Sequence, residues 1–137
     1  MNRELVSEIS ITNIKAPQAS GTTPIESDEF DMSGFAGAIV VTSLGTADAQ
    51  NSMKIQSSDV SGSGFVDVSG ANVVSGVNEK NLGVSWHRNR KTFGKAVITR
   101  TVATTTGDIW LIRYGARMGE VANTIATKMK LTQVTDA

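Results

Sequence analysis

Residues 36–43 read Ala-Gly-Ala-Ile-Val-Val-Thr-Ser, the most continuous run of β-branched residues in the chain. Because β-branched side chains fit the pleated surface of a sheet, this run predicts a strand. A short apolar run without alternation is typical of a strand that is buried on both faces. Ser33-Gly34 lies just before it and is typical of a turn. We therefore expect a central strand at residues 36–43.

The rest of the chain shows a rhythm of short strands and turns. Apolar residues alternate with polar ones in several segments, which is the pattern of half-buried strands. We predict such strands at residues 8–14, 25–32, 51–57, 65–68, 82–86, 95–103 and 108–114, with a break at 69–72. Residues 95–103 and 108–114 are expected to form a hairpin joined by 104–107. The spacing at 119–133 fits either a helix or a strand, and we prefer a closing strand near 124–134.

The strand pattern predicts the fold class. About eight or nine strands without alternating helices indicate an all-β protein, an antiparallel β-sandwich of jelly-roll type. A length of 137 residues fits one domain, so we expect residues 1–137 to form a single β-sandwich domain. Residues 16–24 contain both prolines, Pro17 and Pro24, and few residues that pack. This segment is expected to be an exposed loop or arm.

Composition and charge exclude several classes of protein. The chain has no cysteine, so it has neither disulfides nor thiolate metal sites nor thiol nucleophiles. No signal-peptide pattern occurs, and no apolar run approaches the roughly 18 to 20 residues of a membrane span. Residues 1–60 hold eight acidic and three basic residues, whereas residues 61–137 hold five and ten. This asymmetry suits either docking through complementary patches or an ordinary solvated surface.

The sequence offers little for catalysis. His87 is the single histidine, and it stands in a basic turn without a cysteine or carboxylate beside it, so neither a triad nor a zinc site is expected. Glu26, Asp28, Glu29 and Asp31 lack the spacing of a calcium-binding loop and are interpreted as one solvated face of a strand. We expect no catalytic residue, no metal and no cofactor, and therefore no enzyme.

One basic stretch is a candidate interaction surface. It consists of Arg88, Arg90, Lys91, Lys95 and Arg100. Basic groups near Trp86 and Phe93 would suit a single strand of nucleic acid, but the sequence pI of about 6.6 is below that of most nucleic-acid-binding domains. A docking patch for an acidic protein surface and an ordinary solvated surface are the alternatives. The residues selected as a capsid or subunit interface are Pro17, Pro24, Trp86, His87, Arg88, Arg90, Lys91, Lys95 and Arg100.

Aromatic side chains leave a further alternative open. Aromatic rings stack on the faces of pyranose sugars, and they also fill the core of a sandwich. The aromatic residues in question are Phe65, Trp86, Phe93, Trp110 and Tyr114. A core role is the more common one, and carbohydrate binding remains as a second class of function.

Residues 53–68, Met-Lys-Ile-Gln-Ser-Ser-Asp-Val-Ser-Gly-Ser-Gly-Phe-Val-Asp-Val, resemble a pattern in small virion proteins of tailed bacteriophages. The pattern is a strand, a Gln-Ser-Ser-Asp turn and then Phe-x-Asp-Val. Residues 90–99 and 107–110 stand where those proteins carry a basic strand and a closing hairpin. Thr92-Phe93 replaces the usual Arg-Tyr pair of the basic strand. Over residues 36 to 115 the chain thus looks like a phage capsid decoration, or cement, protein of jelly-roll type.

The resemblance implies a protein made in the host cytoplasm that binds the outer surface of a preassembled phage head and bridges its capsomers. The implied partners are the major capsid protein and further copies of the chain, as a dimer or trimer, with no nucleic acid and no membrane. Residues 16–24 would be an arm that becomes ordered on the shell. A carbohydrate-binding virion module, such as part of a fibre, and a head-completion or tail-tube component are the alternatives.

Overall fold

The computed structural model describes residues 9–46, 50–77, 79–87 and 91–115. All regular secondary structure in these ranges is β-strand, and eleven strands are present there. They are β1 (Ser10–Lys15), β2 (Gln18–Gly21), β3 (Ile25–Glu26), β4 (Phe30–Asp31), β5 (Gly37–Ser43), β6 (Ser52–Ser58), β7 (Val66–Val74), β8 (Asn81–His87), β9 (Phe93–Thr99), β10 (Thr104–Thr106) and β11 (Ile109–Tyr114). The predicted closing strand near 124–134 lies outside the described residues.

The strands form two main sheets and one small sheet, with every pairing antiparallel. The four-stranded sheet has the order β1-β11-β5-β8, and the five-stranded sheet has the order β3-β9-β6-β7 with β4 also paired to β9. Strands β2 and β10 form the small sheet. The predicted antiparallel all-β sandwich is confirmed. The described residues contain more strands than the eight or nine expected, because short strands form in segments interpreted as turns or as one strand.

Four of the pairings in the two main sheets are nested along the chain. The first strand, β1, pairs with the last described strand, β11, and β3 pairs with β9. Inside these, β5 pairs with β8, and the innermost pair is the hairpin β6·β7. The chain is therefore folded back on itself like one long hairpin whose successive pairs alternate between the two sheets.

The core lies between the inner faces of the two main sheets. Ile55 and Ile98 from the five-stranded sheet and Leu111 and Val40 from the four-stranded sheet are fully buried in one apolar cluster. Since burial of apolar side chains is the main favourable term in folding, this cluster holds the sheets together. The chain accordingly needs no cysteine to stabilise it.

Strand β5 occupies the central position that the sequence predicted, between β11 and β8. Its burial differs from the prediction. Ala38 and Val40 face the core and are buried, whereas Ile39 is 36% exposed and Ser43 is exposed. The expectation of burial on both faces is wrong because the second sheet covers only one face of β5.

The predicted hairpin of residues 95–103 and 108–114 is also wrong. Strand β9 belongs to the five-stranded sheet, where it pairs with β6, β3 and β4, and β11 belongs to the four-stranded sheet, where it pairs with β1 and β5. The intervening residues carry β10 and lead the chain from one sheet to the other. Alternation identifies a strand but contains no information about its partner, so two strands that follow each other in sequence need not pair in space.

Two further segments differ in detail from the predictions. Residues 25–32 form two short strands, because Ser27 exchanges hydrogen bonds with the backbone of Ala96 and interrupts the ladder on β9. Residues 66–74 form one continuous strand. The predicted break at 69–72 coincides with an irregularity in the pairing, where residues 68–71 lie opposite Ile55 of β6. Gly70 has a φ of 80° there, a conformation that glycine adopts without strain.

Candidate functional site

Trp86 lies inside the sandwich and not on the predicted interface. It is only 3% exposed, and its ring contacts that of Phe30 edge to face with 6.0 Å between centroids. This contact links the four-stranded sheet to the five-stranded sheet. Gly94 leaves room for it, since a Cβ there would lie 2.6 Å from the Trp86 ring. Trp86 is therefore a core residue, and its selection as an interface residue is wrong for the folded chain.

Arg100 is likewise directed into the protein. Its side chain is 7% exposed and donates three hydrogen bonds of 2.8 Å, to the carbonyl oxygens of Ala19, Thr23 and Thr104. Hydrogen bonds from a charged group are roughly twice as strong as those between neutral groups. Arg100 thus ties residues 19–23 to β10, and its charge is not offered to a partner.

The segment 16–24 is less free than the sequence predicted. Residues 18–21 are strand β2, paired with β10, and Arg100 binds the backbone on either side of the strand's end. The interpretation as a loop is wrong for these four residues. Pro17 and Pro24 flank the strand and are exposed.

The remaining basic residues are not gathered into one patch in the described chain. Lys95 pairs with Glu26 at 3.2 Å and places its Nζ 4.8 Å from the centroid of the Phe65 ring. Lys91 is half-buried. His87 ends β8, where its backbone pairs with that of Gly37. Arg88 and Arg90 lie outside the described residues.

Two residues of the acidic segment accept hydrogen bonds from backbone N–H groups. Glu29 accepts a hydrogen bond from the backbone N–H of Gly62 at 2.8 Å, and Asp31 accepts one from that of Ser33 at 2.7 Å. Among the described residues, no three His, Cys, Asp or Glu side chains lie together in a way that would hold a metal ion.

The outer face of the five-stranded sheet is polar and internally paired. Asp67 accepts hydrogen bonds from Gln56 at 2.8 Å and from Lys54 at 3.2 Å. These two contacts, led by that of Gln56, hold the pKa of the Asp67 carboxyl below its ordinary value. Lys95 and Glu26 add the ion pair described above. The charged groups of this face largely satisfy one another.

Arg113 is half-buried and makes contacts that the sequence did not indicate. It lies at one end of the sandwich, where it donates to the carbonyl oxygen of Asp31 at 2.6 Å and to Ser10 Oγ at 2.9 Å, and it lies over the Phe35 ring. Burial lowers the pKa of its guanidinium, and the nearby Asp31 charge opposes that shift. Arg113 joins β1, β11 and the β4 segment.

One edge of the sandwich carries exposed valines. Strand β7 is the last strand of its sheet, and it begins with Val66 and ends with Val74. Val60 precedes it and Val77 follows it in the adjoining loops. All four are more than half exposed, from 51% for Val66 to 74% for Val77. We name these four residues the valine edge. Sequence analysis missed it because valines in an alternating segment are normally assigned to the core.

A groove lies on the outer face of the four-stranded sheet, with a volume of about 540 Å³. Trp110, Val41 and Gly83 stand opposite one another on three adjacent strands and line its floor. Other residues line its rim: Ser43, Asn81 and Asp108. We name these six residues the Trp110 groove.

The rim of the Trp110 groove is held in place by hydrogen bonds. Asn13 Nδ2 donates to Asp108 Oδ1 at 2.9 Å, and Thr42 Oγ1 donates to the Asp108 carbonyl oxygen at 3.2 Å. The backbone N–H of Gly107 donates to the Ser43 carbonyl oxygen at 2.8 Å. These contacts attach the loop before β11 to β1 and β5, so the groove is formed before any ligand arrives.

Comparison with protein-family models and with curated proteins gives no match for this chain. The fold therefore defines the class, an antiparallel β-sandwich, while any activity has to be argued from the surfaces described above. In the part of the chain with described structure, no helix is long and apolar enough to cross a membrane.

Proposed function

We propose that the chain is a virion structural protein, a capsid decoration or cement protein that binds the outside of a phage head and stabilises it by bridging capsomers. The nested pairing of β1 with β11, β3 with β9, β5 with β8 and β6 with β7 fits a jelly roll, in which the chain folds back as a long hairpin before it rolls into two sheets. Jelly rolls are frequent in viral shells and also in lectins and cupins. The fold alone supports the proposal only by analogy.

The valine edge is the observation that carries the proposal. Strand β7 is nine residues long, and in the described chain it pairs with β6 alone, so the backbone groups on its other side are open to pairing. Exposed strand edges pair readily with other chains, and exposed apolar side chains beside such an edge add apolar area to the contact. The valine edge thus offers both backbone and apolar side chains to the major capsid protein or to a second copy.

On a phage head, even a small contact surface is sufficient to retain the protein. The same contact is repeated at every symmetry-related position, so weak single contacts add up to firm retention when the subunits also touch one another as dimers or trimers. This role needs no catalytic group, no cofactor, no nucleic acid and no membrane. The protein would be made in the host cytoplasm and added to the outer surface of the finished head.

Binding to empty heads tests the proposal. The full chain is mixed with empty heads assembled from a tailed-phage major capsid protein, which we expect a neighbouring reading frame to encode, and the bound fraction is measured by sedimentation. Wild type is expected to saturate the heads. Val66→Asp combined with Val74→Asp is expected to weaken binding at least about tenfold, since each substitution places a charge in an apolar contact.

A matched variant controls for the added charge. Ser33 and Ala103 are exposed and lie outside β7 and its adjoining loops, so Ser33→Asp combined with Ala103→Asp adds the same two side chains and is expected to bind like wild type. Unchanged circular dichroism spectra show that the variants are folded. Wild-type binding by the valine variant would refute the valine edge as the contact. Rings or tubes formed by the protein alone would favour a head-completion or tail-tube component instead.

A further inference from the structure

We infer that the Trp110 groove binds a neutral pyranose unit of a glycan. The groove lies on the outer face of the four-stranded sheet, whereas the valine edge belongs to the five-stranded sheet. The inference therefore goes beyond the proposed role in the shell, and neither depends on the other.

The floor of the groove suits the flat, C–H-bearing face of a sugar ring. Trp110 is half-buried, so its position is fixed while part of its ring faces the groove. On the strand beyond Val41, Gly83 contributes no side chain, which leaves the space beside the indole open. Aromatic rings provide large contact areas at little cost in conformational entropy.

The rim suits the hydroxyl groups at the edge of the same sugar ring. Asn81 carries both a donor and an acceptor, Ser43 carries a hydroxyl, and Asp108 carries a carboxylate. The hydrogen bond from Asn13 to Asp108 orients the carboxylate at the rim. An apolar floor beside a polar rim matches a ligand that has an apolar face and a polar edge.

The charge of the lining residues and the volume of the groove indicate which ligands it can bind. Among the described residues that line the groove there is no lysine or arginine, and the ionisable side chain there, Asp108, is acidic. Phosphorylated, sulfated and carboxylated sugars are therefore disfavoured. The volume of about 540 Å³ lies within the range of about 300–1,000 Å³ that is usual for small-molecule sites.

The two tryptophans allow sugar binding to the groove to be measured directly by NMR. The full chain, labelled with ¹⁵N, is titrated with neutral hexasaccharides of glucose, mannose, galactose and N-acetylglucosamine in separate experiments. The indole N–H signal of Trp110 is expected to shift with at least one of them. The signal of the buried Trp86 is expected to stay unchanged and serves as an internal control.

Variants assign the binding to the groove by calorimetry. Trp110→Ala is expected to weaken binding of the active saccharide at least tenfold. Gly83→Val fills the open space, and its Cβ has room because a Cβ at this position lies 3.4 Å from Val41 Cγ1. It is expected to abolish binding while Trp110 stays in place, and Ala103→Asp is expected to bind like wild type.

Two results would overturn the inference. One is an unchanged Trp110 signal with all four saccharides at millimolar concentration. The other is a Trp110 signal that changes on dilution of the protein alone, because the groove would then be covered by a second copy. Either result leaves the head-binding experiment unaffected, so the two proposals fail separately.

Discussion

Trp86 and Trp110 stand in the same four-stranded sheet but serve opposite purposes. Trp86, on β8, points between the sheets and contacts Phe30. Trp110, on β11, faces the groove on the outer side. Both lie in strands with alternating apolar residues, so composition does not distinguish them. The difference shows that the side of the sheet, and not the residue type, decides whether an aromatic ring contributes to stability or to binding.

The two tryptophans should differ most in their effect on stability. Trp86→Ala removes a fully buried ring and leaves a cavity between the sheets, so we expect the free energy of unfolding to fall by about 3–5 kcal/mol. Trp110→Ala should cost about 1 kcal/mol, as for an average substitution. Urea denaturation of both variants measures the difference. Equal losses would mean that Trp110 is also part of the core.

Arg100 and Lys95 should also differ in their contribution to stability, because Arg100 is buried and Lys95 is half-buried. Arg100→Met deprives three carbonyl oxygens of their donor, and we expect a loss of about 2–4 kcal/mol. Lys95→Met removes one partly exposed ion pair and one ring contact, and about 0.5–1 kcal/mol is expected. Thermal melting of the two variants at equal protein concentration compares them. A larger loss for Lys95→Met would contradict the structural role of Arg100.

Gly94 and Gly83 should differ in how well they tolerate a side chain, because a Cβ would clash at Gly94 and has room at Gly83. A Cβ at Gly94 would lie 2.6 Å from the Trp86 ring and 2.7 Å from the Phe30 ring. We therefore expect Gly94→Ala to cost about 1–3 kcal/mol through overpacking. A Cβ at Gly83 would meet Val41 Cγ1 at 3.4 Å and the Val40 carbonyl oxygen at 3.9 Å, both ordinary contact distances, so Gly83→Ala should change stability by less than about 0.5 kcal/mol. Chemical denaturation checks both values, and a stabilised Gly94→Ala would show that the rings have space to move.

The smallest effect on stability is expected from a substitution on the polar outer face of the five-stranded sheet. The pKa of Asp67 is lower in the folded chain than its ordinary value of 3.8, so its contacts stabilise the fold above that pH and are lost as the pH falls through the folded pKa. Asp67→Asn should thus lower the melting temperature slightly near pH 7. The difference from wild type should disappear in strong acid. A difference that grows as the pH falls would contradict the assigned contacts.

The sequence predicted most strand positions but few strand partners. Alternation or a β-branched run identified β1, β5, β6, β8 and β11 to within a few residues, because burial on one face of a sheet imposes a period of two. Alternation cannot say which strand lies alongside. For that reason β9 and β11 were predicted to pair, although they belong to different sheets.

The candidate surfaces were harder to predict than the fold. On β5 both faces carry apolar residues, so the pattern does not show that Ile39 and Val41 face outward. Arg100 looked like a surface charge because its three partners are backbone carbonyls, which have no signature in the sequence. The Trp110 groove depends on three residues from three strands that come together only in the folded sheet.

The nested strand pairing has a consequence for how the chain is made. Ser10 and Arg113, which touch across β1 and β11, are 103 positions apart, so β1 leaves the ribosome long before its partner exists. Among the described strands, β6 and β7 alone are paired and also consecutive. The other pairings join strands that are distant in sequence, and distant pairings slow folding. Newly made β1 must therefore wait without its neighbour until β11 has been synthesised. During that interval its open edge depends on dilution or on chaperones to remain unpaired with other chains.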